Sequence, residues 1–323
     1  MRPRANPGAR EASFERINYS IRPAKSTERR MMVEAFGHLA AIAPLTEYQY
    51  IGFGSTFFID FKLLHRQLGI RSMISIEKEI EKRERFLFNR PFSCVKMHFG
   101  TAGEYLSTNW RRSRRSIIWL DYDYRLDNDV LADIDRVIER AASGTFLAIT
   151  VDADLGRSRD IWPDIDRELG LDRLPGWVDG KRRSLMGWGL ARAYLEIADS
   201  SLRATLQRAR PGWRWHQVLH FRYADGARML TLGGVLVSPD PGESARFEAC
   251  RFDQLPFYRP GADAFEIRVP NLTGAEIATL SRRLPGLTAR DRGRLRKLAI
   301  SDQDVDDYQA LYRYVPQFVE SQA

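Results

Sequence analysis

Between Tyr48 and Asp152 the sequence repeats one pattern: a short continuous apolar run, a turn, then a segment with helical spacing. The apolar runs are Tyr48 to Phe53, Met73 to Ile76, Val95 to Phe99, Ser116 to Leu120 and Thr145 to Val151. Between them the spacing predicts helices over Phe57 to Leu68, Glu79 to Phe88, Ala102 to Trp110 and Val130 to Ala142. Strands that are apolar throughout are buried on both faces, and strict strand–helix alternation covers a parallel sheet on each side. The expected fold is α/β, with a doubly wound, mostly parallel sheet.

After the fifth run the pattern changes. Residues 155–183 are polar, with Pro163, Pro175 and several glycines, and read as an insertion or lid. A helix from Leu185 to Arg208 leads into Trp215 to Tyr223 and Met229 to Val237, two β-rich runs joined by Ala224-Asp225-Gly226-Ala227. The Asp-Gly pair marks a hairpin turn. The expected sheet thus has seven strands and is closed by an antiparallel hairpin. Ahead of it, Ser26 or Thr27 is expected to open a helix through Met31, Met32, Ala35, Phe36 and Leu39. In the last part, Thr273 with Glu276, Thr288 with Asp291, and Ser301 with Asp304 have the spacing of capped helix starts. Tyr308, Leu311, Tyr312 and Val315 form an apolar stripe suited to packing. The reading divides the chain into a basic tail and cap helix (1–44), a sheet domain (45–238) and a helical appendage (239–323).

Composition narrows the function classes. No apolar run approaches the length of a membrane span, and no apolar stretch follows the arginines of the first residues, so neither anchor nor secretory signal is expected. The only cysteines, Cys94 and Cys250, suit a reducing cytoplasm and no disulfide framework. The 50 basic and 42 acidic residues give +8. Clusters at 111–115, 181–183 and 290–297 permit a nucleic-acid partner, but no recognised binding module accompanies them.

The chemistry gathers at the strand ends. Gly52-Phe53-Gly54-Ser55, between a buried strand and a helix, lets a ligand approach backbone without meeting side-chain carbons. The third glycine of a dinucleotide fingerprint would fall on Phe57, which disfavours NAD. Glu77 ends the second strand at the offset where an acid grips ribose hydroxyls. Phe99-Gly100-Thr101 ends the third, and Asp121-Tyr122-Asp123-Tyr124 follows the fourth. In an open parallel sheet all these ends border one crevice.

Tyr50 to Ser55, Glu77, Phe99 to Thr101, Asp121 and the closing hairpin together resemble a class I, Rossmann-like S-adenosylmethionine (SAM)-dependent methyltransferase. The resemblance implies that Gly52, Gly54 and Ser55 flank the methionine portion of SAM. It further implies that Glu77 holds the ribose, that Gly100 and Thr101 lie near the adenine, and that Asp121 borders the cofactor. Two positions depart from the family pattern: Tyr50 stands where an acid is usual, and Thr56 where a third glycine is usual. Contact with the cofactor's amino group is then sought elsewhere, for instance from Asn18 to Lys25.

Asp121, Tyr122, Asp123 and Tyr124 are the candidate catalytic residues. Two chemistries fit them. Asp121 accepts a hydrogen from a substrate amine while Tyr124 stacks on its ring; or Asp121, Asp152 and Asp154 hold Mg²⁺, which acidifies a bound hydroxyl. The second resembles the catechol O-methyltransferase pattern. Acceptors of three kinds stay open, namely a small molecule, a nucleic acid (as in an N-methyltransferase) and a protein. A fold retained for binding or regulation without turnover is the alternative to an enzyme, and the C-terminal helices offer a surface for homo-oligomers.

Overall fold

The computed structural model describes residues 22–111, 113–156 and 160–316. The expected basic tail, Asn18 to Ile21 and Arg112 lie outside the described residues. The strands are β1 Gln49–Gly52, β2 Ser72–Glu77, β3 Val95–Phe99, β4 Ser116–Arg125, β5 Thr145–Asp152, β6 Arg214–Ala224, β7 Arg228–Val237 and β8 Phe265–Ile267. The helices are α1 Pro23–His38, α2 Ile59–Leu68, α3 Arg83–Asn89, α4 Ala102–Glu104, α5 Asn128–Arg140, α6 Trp162–Glu168 and α7 Gly189–Ala209, then α8 Pro241–Ala249, α9 Gly274–Ser281, α10 Ala289–Arg296 and α11 Asp302–Leu311.

One sheet runs in the order β3-β2-β1-β4-β5-β7-β6-β8. The first five strands are mutually parallel. β7 lies antiparallel between β5 and β6, so the expected hairpin is present. The α/β class and mostly parallel sheet match the expectation, but the sheet has eight strands rather than seven. The eighth, β8, comes from the region read as purely helical and pairs parallel with the edge of β6. Three residues are too few for a period of two to register in sequence.

Two apolar layers flank the sheet. On one face Ile51, Ile118, Leu120 and Tyr122 pack with α5 and α7. On the other Tyr50, Ile117 and Trp119 pack with α1 and α2, joined by Leu311 and Tyr314 from the tail. Leu280, Leu295, Ile300, Val305 and Tyr308 make a smaller separate cluster. The stripe on α11 is therefore packing, divided between two cores: Tyr308 and Tyr312 go to the small one, Leu311 and Val315 to the large one. All three hydroxyl caps form as their spacing implies.

Two boundaries differ in ways that matter for the site. α1 begins at Pro23, one turn earlier than Ser26, because a proline in the first turn has no N–H to lose there. Asp225 in the β6–β7 turn accepts the backbone N–H groups of Ala24 at 3.2 Å and Lys25 at 2.8 Å. Strand β4 runs to Arg125, not Leu120, with an irregularity against β5 between Asp121 and Arg125. Asp121 to Tyr124 thus alternate across a strand end instead of sharing a loop.

Candidate active site

The C-terminal ends of β3, β2, β1 and β4 are adjacent in the sheet, so Thr101, Glu77, Gly52 and Asp121 share one rim. The glycine turn is tight. Ser55 and Phe58 have φ of 47° and 49°, and the N–H of Phe58 bonds the carbonyl of Gly54 at 2.8 Å. A Cβ on Gly52 would meet the Tyr50 hydroxyl at 2.6 Å and the Trp119 carbonyl at 2.8 Å. One on Gly54 would meet Ser75 Oγ at 2.5 Å and the Phe58 ring at 2.7 Å. Both positions therefore require glycine for the protein's own packing, whatever a ligand adds. Thr56 is buried, and Tyr50 is wholly inside with its ring 4.8 Å from Phe61.

Glu77 folds against this turn. Its Oε1 accepts the N–H of Gly54 at 3.1 Å. Burial pushes its carboxyl up to about 8, with the N–H groups of Ser55 and Gly54 opposing. Beside it, Gly100 donates its N–H to the Glu77 carbonyl at 2.9 Å. Thr101 caps α4 in a reciprocal box with Glu104. His98 Nε2, which a Cβ on Gly100 would approach to 3.0 Å, is buried with no hydrogen-bond partner among the described residues. Burial lowers the pKa of this imidazole.

On β4 the strand alternation separates the four candidates. Tyr122 points into the α5 side, donates its hydroxyl to Asp133 at 2.7 Å and is buried, which makes it a core residue. Asp123 is exposed. Tyr124 is half-buried, its ring 5.1 Å from Tyr122 and 4.8 Å from the Lys78 ammonium. Asp121 points to the α1 side, where its Oδ1 meets Lys25 Nζ at 2.7 Å.

The sequence reading took in Lys25 only as the end of the Asn18 to Lys25 segment sought near the cofactor's amino group, and its neighbours Glu28 and Arg29 not at all. Lys25 is 1% exposed and also pairs with Glu28 Oε2 at 2.7 Å. Its ammonium lies 4.7 Å from the Trp119 ring and 5.7 Å from Tyr223. Glu28 accepts the hydroxyl of Thr231; Thr231 and Thr150 are 2.8 Å apart; and Trp119 Nε1 donates to Thr150 at 3.0 Å. The donors run one way along this chain and end on Glu28, whose carboxyl burial holds above its ordinary range. Next to it Arg29 and Asp60 form a second buried pair at 2.5 Å. The signal was available: Glu28 and Arg29 sit one turn and Lys25 two turns before Met32, on the face of α1 that the apolar pattern commits to the core.

The carboxylates proposed as metal ligands are not brought together. Asp121 is paired with Lys25, Asp154 with Arg228 at 3.2 Å, and Asp152 accepts the Asp154 N–H at 2.7 Å. Among the described residues no cluster of three acidic, histidine or cysteine side chains fits a metal ion. Asp121 and Asp154 face protein cations, Asp152 an N–H, and the three do not converge, so the donor set does not fit Mg²⁺. Two surface hollows, of about 390 and 490 Å³, flank Trp213 at the opposite rim, where β4, β5 and β6 begin. They lie away from every residue discussed above. Among the described residues no helix is long and apolar enough to cross a membrane.

Comparison with known proteins places this geometry. A family described as "Putative O-methyltransferase" matches residues 17–323. No curated protein matches the sequence. Among solved structures, the chain is similar to the cofactor-bound Rv0187 from MTB, with 15% identity, 64% of this chain and 79% of that chain covered, and a TM-score of 0.37. It is also similar to an arsenic(III) S-adenosylmethionine methyltransferase from Chlamydomonas reinhardtii, with 14% identity, coverages of 62% and 66%, and a TM-score of 0.39. For the N-methyltransferase NodS from Bradyrhizobium japonicum the values are 13%, 62% and 94%, and 0.36. With the family match spanning nearly the whole chain and the antiparallel β7 closing a mostly parallel sheet, the protein belongs to this O-methyltransferase family and is a SAM-dependent methyltransferase of the class I type.

Proposed function

We propose that this enzyme methylates a hydroxyl oxygen at the rim formed by β1, β2 and β4, with Asp121 as the group that takes the hydroxyl proton. The observation that carries the proposal is the state of Asp121. One carboxylate oxygen is fixed by Lys25, while among the described residues the other has no protein partner, at the strand end next to the glycine turn. Oxygen is preferred to nitrogen because the family is described by O-methylation.

The residues present fit SAM. Gly52 and Gly54 add no side chain at the end of β1, Ser55 adds only a short hydroxyl, and Glu77 offers a carboxyl for the ribose hydroxyls. The unpartnered His98 Nε2 beside Gly100 and Thr101 suits a base with ring nitrogens. When bound, SAM supplies a methyl group on a positively charged sulfur. Asp121 Oδ2 accepts the proton of the substrate hydroxyl as that oxygen takes the methyl group. Lys25 holds the other oxygen of that carboxylate in place. Alignment of the acceptor supplies much of the remaining rate. Tyr124, under the Lys78 ammonium, offers a ring face for an aromatic acceptor. The 155–183 insertion leaves β5 at the same rim and shapes the acceptor side. No step is routed through a metal.

The test combines calorimetry with S-adenosylhomocysteine and transfer from radiolabelled SAM to a panel of phenols, aliphatic alcohols and amines. Asp121→Asn is expected to lower transfer to hydroxyls by about 100-fold or more while the fold is retained. Undiminished transfer by Asp121→Asn, or transfer confined to amines, would overturn the proposal.

A further inference from the structure

The N-terminal helix does more than cover the sheet. We propose that Lys25 is a positioning residue for the reacting centre: it holds one oxygen of the Asp121 carboxylate and so sets the direction of the other, and Glu28 in turn anchors Lys25. The inference rests on the assignment of Asp121 to that centre.

Three observations carry it. First, a lysine 1% exposed must spend all its hydrogens inside the protein. One goes to Asp121 Oδ1 at 2.7 Å, Glu28 Oε2 is an ion-pair partner at 2.7 Å, and the ammonium is bounded by the faces of Trp119 and Tyr223. Second, the ammonium cannot drift. The backbone N–H of Lys25 is held by Asp225 from the β6–β7 turn, and Glu28 is held by Thr231 of β7. Lys25 is therefore tied to the hairpin at both its backbone and its charge. Third, the charges do not balance. Two acids face one ammonium, and the Arg29–Asp60 pair beside them is already neutral. Removing the ammonium leaves two facing carboxylates, one of which must take a proton. The other titratable groups facing Asp121 are Tyr50 from β1 and Tyr223 from β6, both held in the neutral form by burial. Arg29, whose charge also acts on Asp121, is committed to Asp60 and does not take the place of Lys25.

Three variants test this, using S-adenosylhomocysteine as the probe and protein labelled with ¹³C in aspartate carboxyls. Lys25→Met keeps the unbranched stem against Trp119 and Tyr223 but removes the charge. Lys25→Arg keeps the charge but moves it, and Lys25→Met/Glu28→Gln removes the surplus acid and safeguards folding. The Asp121 resonance is identified by its loss in Asp121→Asn. The Asp121 midpoint of the natural protein is the reference. In Lys25→Met and the double variant the midpoint moves up by at least one pH unit, and the affinity for the probe changes across the same interval. Lys25→Arg keeps the reference midpoint but lowers kcat on any acceptor found above, leaving KM for SAM within twofold. A folded Lys25→Met or double variant with an unmoved Asp121 midpoint would overturn the role of Lys25. If instead Asp121→Asn binds the probe and transfers methyl groups like the natural protein, the assignment of Asp121 fails, whatever Lys25 does.

Discussion

At the scale of single residues, the most consequential group besides Asp121 is Glu77. Its carboxyl is held near pH 8 because burial disfavours the charge more than the N–H groups of Gly54 and Ser55 favour it. A carboxyl raised above its unfolded value binds its proton more tightly in the folded state. Its contribution to stability is therefore complete below about pH 4.5 and fades as pH climbs towards 8. Glu77→Gln should remove that slope, and at pH 8 it should unfold at higher urea than the natural protein, by roughly 1 kcal/mol or more given about 1.4 kcal/mol per pKa unit. If Glu77 grips ribose as an anion, affinity for S-adenosylhomocysteine should rise from pH 6.5 to 8.5, and Glu77→Gln should flatten that rise; calorimetry in both proteins checks it. Residue identity at the glycine turn, Glu77 and Asp121 was legible in the sequence because strand ends sit beside breaks in the apolar runs. What those residues touch was not. Whether Asp121 faces α1 and Tyr122 faces α5 depends on β4 continuing past Leu120, and Asp-Tyr-Asp-Tyr does not read as strand.

At the scale of elements, β1, β2, β4 and β5 were legible as buried apolar runs, β3 by its place in the alternation although Lys96 is exposed, and the hairpin because Asp225-Gly226 sits between two β-rich runs. The start of α1 was not: Ser26 and Thr27 resemble caps, while the group that caps the helix, Asp225, lies some 200 residues away. Asp225→Ala leaves the N–H groups of Ala24 and Lys25 without an acceptor. It should cost about 1 kcal/mol, as lost helix caps do, and thermal unfolding measures it. The turn after β1 makes a harsher demand. An added methyl at Gly54 collides with Ser75 and Phe58, so Gly54→Ala should destabilise by about 1–3 kcal/mol. The same substitution at Gly226, where a Cβ would meet nothing within 4 Å, carries only the strain of its φ of 96°.

At the scale of the whole molecule, the two large apolar layers share the sheet, whereas the cluster of Leu280, Leu295, Ile300, Val305 and Tyr308 stands apart with short helices around it. A unit with so few buried groups opens at lower free energy than the sheet. Hydrogen exchange should therefore release the amides of α9 and α10 well before those of β4, β5 and β7; equal protection would contradict it. The last described residues are fastened in a different way. Arg313 reaches Glu34 on α1 at 3.0 Å, the Tyr314 hydroxyl bonds the same carboxylate, and Arg30 holds the carbonyl of Val315 at 3.2 Å. Sequence neighbours at opposite ends of the chain thus become mechanical neighbours, and the lever that bears Lys25 is clamped from behind by the final helical turn. Cutting the chain just after β8 would keep all eight strands but leave that lever unbraced, and methyl transfer would fail in a protein whose sheet still looked whole.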